Sequence, residues 1–162
     1  MGKTSQTKSR KVKPKPEFQI DDVDLNTAFG FLFRRADSIA RRIFYELSGQ
    51  TALSPRQFGV LLSLSKSGPL SQRELSDIIH IDASTLGEIL RRMSDRGLIA
   101  RRTGPDDRRK VTLTLTAAGQ RTLRTLLPAV VRMQEELLAQ IPPEHQAILL
   151  SSLGLLVDRL DR

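Results

Sequence analysis

The sequence contains no cysteine and no tryptophan, it has only two histidines, and aromatic residues make up 4% of its 162 positions. Without cysteine the chain cannot form a disulfide, sense redox conditions through a thiolate or bind a metal through sulfur. The N-terminus has no apolar run of the signal-peptide kind, and no apolar stretch approaches the ~20 residues that span a membrane. The sequence therefore predicts a cytoplasmic protein without membrane association, whose core is mostly aliphatic.

Residues with catalytic chemistry are equally sparse. His80 and His145 are far apart in the chain and lie in unlike contexts, so both are expected to be ordinary surface or capping residues. The glycines are scattered and do not form a phosphate-binding loop, and the acidic residues do not pair around an apolar segment. We predict no enzyme activity, no cofactor and no metal site.

Positive charge is present in excess, with 26 Lys and Arg against 18 Asp and Glu and a formal net charge of +8. This balance favours an anionic partner, nucleic acid first, although a generally basic surface is the alternative. Residues 1–16 carry six Lys and Arg and no acid, with almost nothing apolar to bury. They predict a solvated tail, with a DNA-contacting arm as the alternative.

The most informative stretch of the chain is residues 71–116. Ser71 and Glu74 have the spacing of a capping box, which begins a helix. Asp82 can cap a second helix by accepting a hydrogen bond from an amide of its first turn, and Gly97 supplies the left-handed stop after that helix. Two short helices joined by a three-residue turn predict a helix-turn-helix.

A small β-hairpin is predicted directly after these helices. Residues 98–102 form a short extended run, residues 103–107 have turn chemistry, and residues 111–116 alternate apolar and polar side chains. Between positions 91 and 110 there are eight Lys and Arg against three Asp. A hairpin with a basic tip after a helix-turn-helix predicts a winged helix that binds DNA.

The rest of the chain is predicted to be helical. A long amphipathic helix of about six turns is expected over residues 24–47, and a second capping box with proline begins a helix at Ser54. Thr116 is expected to cap a further helix, which Pro128 should kink or reset. A last helix follows Pro142 and Pro143.

The fold class predicted is therefore mainly α with a small β wing. We expect a basic tail at 1–20, an N-terminal dimerisation helix at 21–50, a winged helix-turn-helix domain at 51–116 and C-terminal dimerisation helices at 117–162. The terminal helices hold more apolar residues than one small winged-helix core can cover, which predicts a homodimer.

Part of the sequence resembles a known family. LSQRELSDIIHIDASTLGEILRRMSDRGLIARR, followed by DDRRKVTLTLTAAG, resembles the MarR family of winged-helix transcription regulators over about residues 25–160. Asp106-x-Arg108 has the same spacing as Asp107-x-Arg109; we assign the second pair, since it places Val111 where the family has its counterpart. The most specific elements are Arg96-Gly97-Leu98-Ile99, Asp107-x-Arg109, and Leu115-Thr116 before Gly119.

The resemblance implies a two-fold dimer formed by the terminal helices, with Arg109 entering the minor groove and Asp107 holding its guanidinium. Glu88 departs from the family, in which a basic residue is common there; its carboxylate can accept from a cytosine amino group or orient a neighbouring arginine. The alternative is that the polar residues on the outward side of the second helix only face solvent and do not bind DNA. The predicted DNA-binding residues are Ser71, Gln72, Arg73, Ser84, Thr85, Glu88, Arg91, Arg92, Asp107, Arg108, Arg109 and Lys110.

The resemblance also implies a ligand-responsive regulator, most often a repressor, that leaves its double-stranded DNA operator when it binds a small organic anion. The expected anion is an aromatic carboxylate or an acyl-CoA thioester. A DNA-organising protein without an effector is the alternative function. The predicted effector-binding residues are Phe31, Arg35, Ser38, Arg42 and Phe58.

Two arginines carry the effector prediction. Arg35 and Arg42 are about 10 Å apart along the helix axis, which suits an extended anion, and Arg34 and Arg41 are expected in solvent. The alternative is that Arg35 and Arg42 cover apolar surface or pair with acids.

Overall fold

The computed structural model describes residues 22–49, 53–103 and 111–160. The predicted basic tail, residues 1–20, lies outside this part of the chain. The predicted fold class is confirmed, since the described residues form helices and a single pair of antiparallel strands. In chain order these elements are α1 Phe29–Ser48, α2 Pro55–Ser67, α3 Gln72–Ile79, α4 Ala83–Asp95, β1 Ile99–Thr103, β2 Val111–Leu115, α5 Ala117–Leu138 and α6 Pro143–Leu160.

The chain divides into two compact units, residues 1–36 and 37–162. In the described part of the first unit, the Asp24 carboxylate accepts from the Asn26 amide at 2.8 Å, and the Asp24 carbonyl accepts from the Ala28 amide at 2.8 Å. These local bonds close a turn and compete with a regular helical start. Helix α1 therefore begins at Phe29 and not, as predicted, at Asp24.

Two capping boxes set the starts of α2 and α3, as predicted. The Ser54 hydroxyl accepts from the Gln57 amide at 3.3 Å, while the Ser54 amide donates to the Gln57 side chain at 2.9 Å. The Ser71 hydroxyl accepts from the Glu74 amide at 3.2 Å, and the Glu74 carboxylate accepts from the Ser71 amide at 2.7 Å. Each box satisfies amides that the first helical turn leaves without a partner.

The core of the second unit is aliphatic and lies among α2, α3, α4, the strands and the first half of α5. Leucine dominates it because neither cysteine nor tryptophan is available and aromatic residues are few. Burying one such leucine contributes about 1.5–3 kcal/mol. The side chains that are least exposed here are Leu53, Val60, Leu61, Leu75, Leu86, Leu90, Met93 and Leu126.

The two strands form the predicted hairpin, with Ile99 opposite Leu115 and Thr103 opposite Val111. A third segment joins it in a way that the sequence did not predict. The Leu70 amide donates to the Leu113 carbonyl at 3.1 Å, and the Leu113 amide donates to the Leu70 carbonyl at 2.7 Å. The residue just before α3 is therefore hydrogen-bonded to the base of the hairpin.

The last two helices differ in how much they bury. Helix α5 runs without interruption across Pro128, so the predicted reset at this position is wrong. Pro128 is exposed. Helix α6 begins at Pro143 after the predicted break and contains no buried residue. Its exposed apolar side chains are Ile148, Leu149, Leu150, Leu155, Val157 and Leu160.

None of the helices within residues 22–49, 53–103 and 111–160 combines the length and apolar composition needed to span a bilayer.

Candidate nucleic-acid interface and ligand cleft

Helix α4 has well-defined ends. The Asp82 carboxylate accepts from the Thr85 amide at 2.9 Å, which confirms the predicted cap. This hydrogen bond lowers the pKa of Asp82 below its ordinary value, since it favours the charged form. The cap is therefore intact above the ordinary range of a carboxyl group and is lost as the pH falls through the depressed pKa. At the other end Gly97 has φ 66°, the left-handed conformation predicted for the stop.

The outward face of α4 carries the polar side chains predicted from the sequence. Ser84, Glu88, Arg91 and Arg92 are exposed and Thr85 is half-buried. Two ion pairs run along this face, one between the Arg91 guanidinium and the Asp95 carboxylate at 3.2 Å and one between Arg92 and Glu88 at 3.8 Å. Of the two roles considered for Glu88, pairing with a neighbouring arginine is the one that the free protein displays.

Two of the polar side chains at the start of α3 form hydrogen bonds within the protein. The Ser71 hydroxyl is used in the capping box, and the Gln72 side-chain amide donates to the Ala83 carbonyl at 3.0 Å. This second contact joins α3 to the start of α4 and fixes the angle between them. Arg73 is exposed.

The tip of the predicted wing is not described. Asp107, Arg108, Arg109 and Lys110 lie outside the described residues, so their roles stay predictions. The strands that lead to the tip are described, and Arg101 and Arg102 on β1 are exposed. The basic edge predicted from the sequence therefore includes at least these strand residues.

A hydrogen-bonded junction connects the end of α4 to the start of α5. The Thr116 hydroxyl lies 2.7 Å from the Gly97 carbonyl oxygen and 3.0 Å from that of Leu98. The same oxygen accepts from the Gly119 amide at 3.0 Å and so caps α5, as predicted. Gly119 is needed for this close approach, because a Cβ at position 119 would overlap the Leu98 carbonyl oxygen.

A cleft of about 470 Å³ lies within the second unit, against the side of α4. Its volume falls in the range of about 300–1,000 Å³ that is usual for small-molecule sites. It is formed by the second half of α1, the start of α2 and the flank of α4. The lining residues are Asp37, Arg41, Tyr45, Ser54, Pro55, Arg56, Gln57, Thr85, Glu88, Ile89 and Arg92.

The charges in this cleft favour an anion. Arg41, Arg56 and Arg92 outnumber Asp37 and Glu88 by one. Arg41 pairs with Asp37 at 2.7 Å and Arg92 with Glu88 at 3.8 Å, whereas Arg56 has no ion pair within the described residues. Both pairs are well exposed and therefore weak, so an anion can compete for either arginine.

The predicted effector residues are placed differently. Arg42 pairs with Glu46 at 3.0 Å, which is the alternative considered for it. Phe58 is buried in the core with its ring edge-on to Phe44, their centroids 6.3 Å apart. Neither of these residues nor Ser38 lines the cleft. Phe31 and Arg35 belong to the first unit, and their role stays a prediction.

Arg41 is exposed, as predicted, and it also lines the cleft, which was not predicted. The sequence held a signal for this position. Asp37, Arg41 and Tyr45 are spaced four residues apart and so form one stripe along a helix. What the sequence could not provide was the position of α2 and α4 opposite that stripe.

Metal binding has no support in the part of the chain that the structure describes. Within it, no group of three or more His, Asp or Glu side chains is arranged so that it could hold a metal ion. The candidate sites are therefore the polar face of α4 with the wing, and the cleft beside it.

Comparison with known proteins supports this arrangement. The sequence profile of the MarR family matches residues 53–111. The HTH-type transcriptional repressor NicR of Pseudomonas putida is 29% identical over 135 residues, which cover 83% of this chain and 85% of NicR. The region matched by the profile contains the capping boxes, the helix-turn-helix and β1, and it ends at the first residue of β2.

Two solved structures are similar over nearly their whole length. The PcaV regulator of Streptomyces coelicolor, in complex with its natural ligand, is 31% identical with a TM-score of 0.77, covering 84% of this chain and 96% of PcaV. BpsR of Bordetella bronchiseptica, whose DNA binding is regulated by 6-hydroxynicotinic acid, is 28% identical with a TM-score of 0.73, covering 78% of this chain and 96% of BpsR. The chain belongs to the MarR family of DNA-binding transcription regulators.

Proposed function

We propose that this protein is a ligand-responsive repressor that acts in the cytoplasm, binds a pseudo-palindromic operator as a homodimer and is released by a small organic anion. The proposal rests on the observation that α4 contributes to two candidate sites at once. Its outward face presents polar side chains to a partner, and its flank forms one wall of a cleft with an excess of arginine. A ligand in that cleft touches the element that contacts DNA.

On the DNA side, α4 enters the major groove and its exposed side chains contact bases and phosphates. Arg73 and the Arg101–Arg102 pair are exposed cations that suit phosphate contacts. Arg109 at the wing tip enters the adjacent minor groove, where a narrow groove concentrates negative potential. The complete set proposed to bind DNA is Ser71, Gln72, Arg73, Ser84, Thr85, Glu88, Arg91, Arg92, Asp107, Arg108, Arg109 and Lys110.

On the effector side, we place the anion in the cleft between α1, α2 and α4. Arg56 is the first candidate for its carboxylate, because it has no ion pair within the described residues. Tyr45 and Pro55 offer flat apolar surface for an aromatic body, and the hydroxyl of Thr85 offers a hydrogen bond. The regulation of BpsR by 6-hydroxynicotinic acid supports an aromatic carboxylate as the ligand class; an acyl-CoA thioester is the second class to test.

The homodimer is a direct expectation from the exposed apolar side chains. Helix α6 buries no residue, and Leu150, Leu155 and Leu160 are 55%, 56% and 76% exposed in the single chain. An apolar surface of this extent is stable in water only when it is covered. Light scattering at micromolar concentration should therefore give about twice the chain mass of 18.1 kDa. A single species of the chain mass would contradict the dimer.

The regulated function is tested by selecting an operator from a random duplex library and adding candidate anions. We expect protection of an inverted repeat whose half-sites are about 10 to 10.5 base pairs apart. Micromolar to millimolar 6-hydroxynicotinic acid or an acyl-CoA thioester should then release the DNA, measured by fluorescence anisotropy. A protein that binds all duplexes alike and responds to no anion would be the DNA-organising alternative.

One single and one double arginine variant locate the anion site. If the cleft is the site, Arg56→Ala should reduce the affinity for the anion, measured by calorimetry, while Arg35→Ala/Arg42→Ala should not. The converse result would support the edge of α1 predicted from the sequence. Lys66→Ala serves as a matched loss of one exposed cation on α2, outside the cleft.

A further inference from the structure

Helix α4 presents two functional faces that meet at one residue. Successive side chains are rotated by about 100° around a helix axis, and the buried stripe is Leu86, Leu90 and Met93. Ser84, Glu88 and Asp95 fall almost directly opposite this stripe, on the face that meets DNA, and Arg91 lies to one side of them. Thr85, Ile89 and Arg92 fall on the flank that lines the cleft.

Glu88 is the residue at the boundary between these faces. By its position in the helix it lies on the DNA-facing side, close to the line of Ser84 and Asp95, yet it also lines the cleft. Its side chain is 70% exposed, and that of its partner Arg92 is 66% exposed. The Glu88–Arg92 pair therefore reaches from the DNA-facing side into the cleft.

The pairing matters because a carboxylate is unfavourable beside phosphates. A negative charge brought into the major groove is repelled unless it is neutralised or accepts a hydrogen bond from a base. In the free protein the Arg92 guanidinium, 3.8 Å away, supplies this neutralisation. The distance leaves the pair loose, so a better acceptor can take the arginine.

We infer that Glu88 and Arg92 form a charge switch through which an anion in the cleft controls DNA binding. The anion takes the Arg92 guanidinium, and Glu88 is left as an unpaired carboxylate on the DNA-facing side of α4. Repulsion between that carboxylate and the DNA phosphates then lowers operator affinity. The inference rests on the proposed function, since it assumes that the effector is an anion and binds in this cleft.

The same helix contains a matched pair that the cleft does not touch. Arg91 and Asp95 are also four residues apart and are paired at 3.2 Å, with side chains exposed to a similar extent. Neither lines the cleft. An anion in the cleft should therefore leave the Arg91–Asp95 pair intact, which makes this pair the control for the anion response of the Glu88 and Arg92 variants.

The switch can be tested without any ligand by a double-mutant cycle on the operator. Arg92→Gln imitates the loss of the arginine to an anion and should weaken operator binding about tenfold, and Glu88→Gln added to it should restore affinity to within about threefold. Glu88→Gln alone should strengthen binding. The Arg91–Asp95 pair also lies on the DNA-facing side, so Asp95→Asn should rescue Arg91→Gln in the same way, and this pair is a control only for the response to an anion. The remaining loss of about threefold is the direct DNA contact proposed for Arg92. If Glu88→Gln fails to rescue Arg92→Gln, that contact explains the whole loss and the switch is wrong.

A second experiment uses 6-hydroxynicotinic acid and its neutral carboxamide as probes. The acid should release the parent protein from its operator and the carboxamide should not, because only the acid can take the guanidinium. Glu88→Gln should bind the acid, by calorimetry, yet release DNA at least about tenfold less sensitively, whereas Asp95→Asn should respond like the parent. Release of Glu88→Gln at parental concentrations would overturn the switch.

The proposed function and the charge switch are contradicted by different results. If neither the acid nor an acyl-CoA thioester binds the parent protein, the proposed effector class is wrong, and the ligand-free cycle alone decides whether Glu88 and Arg92 are coupled in DNA binding. If the acid binds and releases DNA but the cycle shows no coupling, the proposed function stands and the charge switch is excluded.

Discussion

Replacing Arg109 by alanine is expected to weaken operator binding more than any other single loss of charge. An arginine inserted into a narrow minor groove gains from concentrated negative potential that a phosphate contact on the rim does not offer. One such contact contributes about 1–3 kcal/mol, and a dimer loses two of them. The effect should be greatest on operators with A·T-rich sequence beside the half-sites, measured by anisotropy at constant salt.

The control for Arg109→Ala is its neighbour. Arg108→Ala removes the same charge and should weaken binding less and almost uniformly across sequences, as expected for a phosphate contact. If the two variants exchange these effects, the Asp-x-Arg element is Asp106-x-Arg108 and our assignment of Asp107 and Arg109 is off by one residue. Equal and small effects would show that the wing does not enter the groove.

The second large effect is expected in stability. Gly119→Ala places a methyl group against the Leu98 carbonyl oxygen and 2.7 Å from a methyl carbon of Leu115. The backbone at this junction has little freedom to move, because Thr116 is bonded to Gly97 and Leu98 at the same point. Overpacking of this kind costs about 1–3 kcal/mol or more. Thermal unfolding should therefore shift to lower temperature by several degrees.

Gly30→Ala is the matched control for this substitution. Gly30 is also helical, but a Cβ there meets nothing within 4 Å. Alanine has the higher helix propensity, so this variant should unfold at the parental temperature or slightly above it. A Gly119→Ala protein as stable as the parent would mean that α5 can slide away from Leu98, and that the junction is not rigid.

The sequence predicted those parts of the fold that depend on local chemistry. The capping boxes at Ser54 and Ser71 and the cap at Asp82 are confirmed, because each depends on a side chain bonding the first turn of its own helix. The left-handed Gly97 is confirmed because a residue without Cβ adopts a positive φ at little cost. The start of α1 was misplaced because Asp24 satisfies amides equally well in a turn. Both outcomes follow from the same short-range hydrogen bonding.

The sequence was less informative about contacts between distant segments. The bridge between Leu70 and Leu113 joins residues 43 positions apart, and no periodicity in either segment indicates it. The cleft has the same origin, since Arg56 and Arg92 approach it from different helices. The polar face of α4 was predictable because one helix defines it. The ligand site was not predictable in this way, because it depends on how α1, α2 and α4 pack against one another.

Pro128 has a consequence for how α5 moves. It has no N–H to donate to the carbonyl of Arg124, four residues earlier, so this turn of the helix lacks one backbone hydrogen bond. Side chains are buried on both sides of Pro128, Leu123 and Leu126 before it and Ala129 and Val130 after it, whereas beyond Met133 they are half-buried or exposed. Fraying that starts at the distal end of α5 in a single chain therefore has to expose Val130 and Ala129 before it reaches this turn, so the half that supports the Thr116 junction is protected by side-chain burial and not by an unbroken series of backbone hydrogen bonds.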